Sequence, residues 1–219
     1  MYLARVLRVF IACVWLGAGA VRADDLGWQD VALFAGGAAT ALAAHEAGHA
    51  LANLSMGNVP HLGSVEFLGV IPWFSLEPNI ACAADSCSRR DGTPFGPGRP
   101  GLLLILLAGF DVQHATDEVL LTRDPALREQ HAPFRTGLLA FNTLTSVAYA
   151  AANWAGVEPY SGDLAGAVRD TRASRAWVSG MLFGIAGLDI ARWAVPDARW
   201  LAWASRAAKV VFLGLPLTV

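Results

Sequence analysis

Ala43-Ala44-His45-Glu46-Ala47-Gly48-His49-Ala50 is the one place where strongly polar groups interrupt the long apolar run from Val31 to Leu54. On a helix, His45 and His49 lie one turn apart on one face, and Glu46 projects beside them. This is an H-E-x-x-H pattern. Two neutral imidazoles can hold Zn²⁺ and leave a position open for water. An adjacent carboxylate that is not a ligand can then take a proton from that water and pass it to a leaving group. The spacing therefore predicts a metal helix over 31–54, with His45 and His49 as metal ligands, Glu46 as the catalytic acid/base and Zn²⁺ as the cofactor. The competing account is a polar patch satisfied by neighbouring helices.

The same 24 residues carry no positive charge and, at 1.5 Å per residue, are long enough to span a bilayer. Gly36, Thr40, Ala44, Gly48 and Ala52 recur every fourth residue, a smooth stripe on which another helix can approach closely. The whole chain of 219 residues is 55% hydrophobic and only 16% charged, with a mean hydropathy of +0.44. That balance predicts an all-α integral membrane protein, a polytopic helical bundle of about five to six transmembrane helices. The lipid bilayer is then a partner, and the expected location is a bacterial cytoplasmic (inner) membrane. A net charge of −2 provides no basic footprint, so nucleic acid is not an implied partner. Trp28, Trp73, Trp177 and Trp200, near the ends of apolar runs, fit an interfacial belt.

Residues 1–23 have the layout of a signal peptide or N-terminal anchor: Arg5 and Arg8, an apolar core, then Val21-Arg22-Ala23 before two aspartates. Residues 24–219 then form a single polytopic domain. Leu62 to Leu76 is apolar but short and contains Pro72, which suits a re-entrant or strand-like segment after the metal helix. Its Glu66 is a conceivable third ligand, although a polar residue on a partly exposed strand is the simpler account. Cys82 and Cys87, five apart in the polar loop 78–100, suggest a small disulfide.

Gly101 to Leu121 carries Asp111, Gln113, His114, Asp117 and Glu118 in its second half, so either the helix stops near Val112 or this part faces a polar cavity. Asp111, His114 and Glu118 are candidate ligands, with helix-end or hydrogen-bonding roles as the alternative. Phe134 to Gly156 reads as a third span, followed by a turn-rich stretch that ends at Asp163. Two further apolar segments, broken at Pro196-Asp197, predict a C-terminal helical hairpin over about 175–219, in which Asp189 and Arg192 pair on one helix.

His45-Glu46-Ala47-Gly48-His49, followed by Leu107-Ala108-Gly109 and then by Asn153…Pro159…Gly162-Asp163-Leu164, resembles the site-2 protease family of intramembrane zinc metalloproteases. The likeness covers roughly 31–167. In that family the second core helix often carries Ala-Gly-Pro, where this chain has Ala108-Gly109-Phe110. The resemblance implies that Asp163 is the third metal ligand and that the segment after the metal helix corresponds to the family's membrane-associated strand. It also implies peptide-bond hydrolysis of membrane-protein substrates, with Glu46 as general base and then acid. The alternatives are a zinc-dependent membrane lipid or amide hydrolase and a non-catalytic metal-binding membrane protein.

Overall fold

A computed structural model describes residues 27–67, 71–83, 86–157, 162–214 and 216, the side chains of 64–67 and 71–74 excepted. Residues 1–23, the side chain of Glu66 and Pro159 therefore lie outside the described residues. Among those described, the order is α1 (Trp28–Ser55), β1 (His61–Phe67), β2 (Ile71–Glu77), β3 (Ile80–Ala83), β4 (Ser86–Arg89), α2 (Gly98–Arg123), α3 (Pro133–Ala155), α4 (Asp163–Thr171), α5 (Arg175–Ala194) and α6 (Arg199–Leu213). A 3-10 turn at Leu127–Glu129 links α2 to α3.

The core is built around α2. Leu102, Leu103, Ile105, Leu107 and Phe110 of this helix are essentially fully buried. They pack with Leu164 and Ala167 of α4, Val178, Leu182 and Ile185 of α5, and Phe212 of α6. With apolar residues on every side rather than on one stripe, α2 is suited to a central position. It does not stop near Val112 but runs on to Arg123.

Helix α1 packs against both α2 and α3. Its buried column runs through Gly37, Ala41, His45, Gly48, His49 and Ala52, whereas Thr40 of the every-fourth stripe is exposed. Gly37 and Gly137 explain the close crossing of α1 and α3. A Cβ on Gly37 would collide with the Phe134 carbonyl, and one on Gly137 with the Phe34 carbonyl. Small residues on both helices let the backbones touch.

Between α1 and α2 the chain is extended. β1 and β2 pair antiparallel, with Leu62 opposite Leu76, and β3 and β4 form a second antiparallel hairpin. Cys82 and Cys87 face each other in that second hairpin and are joined by a disulfide. The two hairpins correct the expectation of an all-α chain.

The expected polytopic membrane bundle is also corrected. Among the described residues, no helix is long and apolar enough to cross a membrane. The expected transmembrane helices and the inner-membrane location fall with it. The physical reason lies in what fills the helices. The apolar stretch of α1 is largely alanine and glycine, which contribute little hydrophobic surface, and it is broken by His45, Glu46 and His49. Acidic groups occupy the second half of α2, Asp189 and Arg192 interrupt α5, and α6 is only 15 residues long with Arg206 and Lys209 within it. Trp28, Trp177 and Trp200 are exposed, and the side chain of Trp73 lies outside the described residues.

Candidate metal centre

Three elements converge on one point. Helix α1 presents His45 and His49 from successive turns, and both are buried. Asp163 is the first residue of α4, directly after Gly162 at the N-cap. The positive end of a helix dipole favours a carboxylate at that position.

His45 Nε2 and His49 Nε2 are 3.1 Å apart, and Asp163 Oδ2 lies 3.3 Å from the first and 3.4 Å from the second. A zinc ion held tetrahedrally at 2.0–2.1 Å requires ligand atoms about 3.3 Å from one another. The observed triangle has that size. Two imidazole nitrogens and one carboxylate oxygen are also a donor set suited to zinc. Two lone-pair nitrogens facing each other across 3.1 Å in a buried site need a cation or a proton between them.

The histidine tautomers bear on the same point. His49 Nδ1 lies 2.8 Å from the Ile105 carbonyl, an acceptor only, so Nδ1 carries the hydrogen and the Nε2 lone pair is left for a ligand. His45 Nδ1 is buried without a hydrogen-bond partner among the described residues. Opposite the triangle, α2 contributes Gly109. A Cβ there would stand 2.5 Å from His45 Nε2 and 2.6 Å from His49 Nε2. Any larger residue would fill the space between the imidazoles and α2.

The electrostatics follow from this crowding. Burial works against the charge on Asp163, but the His49 and His45 imidazoles outweigh it and hold the carboxyl well below the usual range. Burial likewise works to lower His49, yet the charge and hydrogen bond of Asp163, with help from Ile105 and Glu46, raise it to about 9. The site thus holds a positive charge strongly even when only a proton supplies it.

Glu46 is buried one residue from His45, and its Oε2 accepts a hydrogen bond of 3.0 Å from the Leu76 N–H of β2. That bond anchors one carboxylate oxygen and ties the β1–β2 hairpin to α1. Beside Glu46 is a cavity of about 70 Å³ lined by Leu42, His45, Glu46, Gln113, Phe141, Thr145 and Tyr149.

The other candidate ligands are elsewhere. Among the described residues, the only cluster of metal-binding side chains is His45, His49 and Asp163, and it includes none of Asp111, His114 and Glu118. Burial pushes the Asp111 carboxyl up to about 7, against the opposing effect of His49. His114 packs edge-on to Phe212, and burial, with the charges of Lys209 and His45, pushes it down to about 3. Glu118 accepts hydrogen bonds from Arg192, Arg206 and Lys209. Burial would raise Glu118, but these donors and Thr122 bring it down to about 2.

Sequence reading missed the Ile105 carbonyl and the Leu76 N–H, which are backbone groups and carry no residue-type signal. It also missed the cavity, whose walls come from α1, α2 and α3. No family model, no curated protein and no solved structure matches the chain.

Proposed function

We propose that the protein is a zinc-dependent peptidase of the H-E-x-x-H type, in which His45, His49 and Asp163 hold the metal and Glu46 is the general base and then the general acid. The observation that carries this reading is the ligand triangle, with edges of 3.1, 3.3 and 3.4 Å, next to a buried carboxylate that is not part of it. A zinc ion bound there supplies Lewis acidity, polarising a peptide carbonyl and making water easier to deprotonate.

The chain's own groups do the rest. Ile105 and Asp163 fix the His49 ring from its two sides. Gly109 keeps the space in front of both imidazoles open. Glu46, adjoining the cavity, takes the proton from the attacking water and delivers it to the leaving nitrogen, while Leu76 restrains the rotation of its carboxylate. The resemblance to site-2 proteases supports the assignment of these roles to His45, Glu46, His49 and Asp163.

Glu46→Gln tests the reading. It keeps the side chain's shape and removes its basicity, so the variant retains zinc while hydrolysis of a quenched fluorescent peptide falls by about 10²–10⁴-fold. An unchanged rate in a zinc-loaded Glu46→Gln protein contradicts the proposal.

A further inference from the structure

Helices α5 and α6 pack side by side, and their polarity is turned inside out. Asp189, Arg192 and Lys209 are buried, and Arg206 reaches Glu118 on α2. Outward, none of the exposed residues from Ala176 to Ile190 of α5, or from Trp200 to Leu213 of α6, is charged. Trp200, Trp203 and Val210 are 67%, 72% and 67% exposed, and Trp177, Phe183 and Ile190 add to them. With the accessible areas usual for such side chains, these six present roughly 800 Å² of apolar surface. Apolar residues exposed singly are normal, but a patch of more than a few hundred Å² marks an interaction site. Among the described residues, nothing covers this one.

The relief of the face points to its occupant. Gly180, Gly184 and Gly187 stand in one row on α5, and a Cβ added to any of them would meet nothing within 4 Å. They leave a shallow groove along that helix. Beside it, Trp200 and Trp203, three residues apart on the outer side of α6, form a ridge. We propose that this face is the interface of a two-fold symmetric homodimer, in which the α6 ridge of each copy lies in the α5 groove of the other. Groove and ridge occur on the same patch, which is what a contact between identical surfaces requires. The area matches the roughly 800 Å² that each partner contributes to a stable interface of standard size. Tryptophan-rich composition with charge excluded is that of an interface centre, and it spares two identical copies the repulsion of like charges. A single foreign helix or peptide would fill the groove and leave the ridge in water.

Light scattering of the full chain, after separation by size at roughly 50 µM, tests the proposal, since interfaces of this area hold at micromolar concentrations or below. The expected mass is twice the 23.1 kDa of one chain. Gly184→Arg is the decisive variant. Its side chain has open space in the monomer, so the circular dichroism spectrum is expected to stay as in the wild type. In the dimer it would bury an unpaired charge in the groove, and the mass is expected to fall to that of one chain. Trp203→Glu attacks the ridge with the same expected result, and serves as the second variant if Gly184→Arg does not fold. Loss of the dimer in either folded variant supports the proposal. A monomeric wild type overturns it, and flotation of that monomer with phosphatidylcholine vesicles would make lipid the occupant instead. Dimers or larger species that persist in both variants also overturn it, because the chains then meet through another face.

Discussion

Helix α2 borders two buried polar regions that solve the problem of buried charge in opposite ways. Around Ile105 and Gly109 it faces His45, His49 and Asp163, where lone pairs and a carboxylate converge with no basic side chain among them. About nine residues further on, roughly 13 Å along the helix, it carries Asp117 and Glu118. There every cation has a carboxylate partner: Glu118 receives Arg192, Arg206 and Lys209, and Asp189 receives Lys209 at 2.9 Å and the Ser205 hydroxyl at 2.6 Å. Asp117 is met by Asn142, and burial, with the nearby Asp189, raises its carboxyl well above the usual range. The second region is neutralised by the chain itself. In the first, the arginines and lysines are absent and the positive charge opposite Asp163 falls to His49, and that difference separates a paired polar network from a candidate ligand set.

Gly109→Leu should break the contrast most severely. Its side chain would occupy the space in front of the two Nε2 atoms, where even a Cβ stands 2.5 Å from His45. Zinc retained after dialysis should fall to background, with the circular dichroism spectrum showing whether the helices persist.

Lys209→Met sharpens the contrast from the other side. It leaves Asp189, which is fully buried, without its cation. Breaking a buried pair from one side costs about 3–5 kcal/mol. Denaturant unfolding should report that loss, whereas zinc stoichiometry of the folded fraction stays at the wild-type value. A variant that loses zinc without losing stability would erase the distinction between the regions.

The smallest expected effect is on pH dependence, and it separates proton from metal as the cation of the first region. The folded-state value of His49 is raised from 6.5 to about 9, so its contribution is complete below pH 6.5 and is lost as pH rises through 9. Asp111, raised from 3.8 to about 7, costs stability as pH climbs from about 4 to 7, so its effect is largely complete before the His49 loss develops. Without metal, the melting temperature should therefore decline between pH 6.5 and 9. With zinc bound, the His49 part of that decline should vanish, because the metal takes the proton's place. Identical pH profiles with and without zinc would show that His49 is not a ligand.

The placing of His45 and His49 on one face of α1 was legible because its information is local. Residues four apart share a helical face whatever the rest of the chain does, and the His45–His49 pair needs nothing more. The Cys82–Cys87 disulfide has the same short range. Asp163 is separated from His49 by 114 residues, and only the resemblance pointed to it. The acids of α2 were readable as unusual but not as paired, since their partners come from 74 to 91 residues away on α5 and α6. Asp189 and Arg192 were expected to pair on one helix, yet Arg192 binds Glu118 and Asp189 binds Lys209. The membrane reading failed for a related reason. Composition counts apolar residues without regard to where polar ones interrupt them, and in this chain the interruptions fall inside the helices.

Metal content of the purified chain tests the central claim most directly. After zinc loading and exhaustive dialysis, the account predicts about one zinc per chain in the wild type and in Glu118→Gln, and none in Asp163→Ala. Zinc retained by Asp163→Ala, or absent from the wild type, would contradict it.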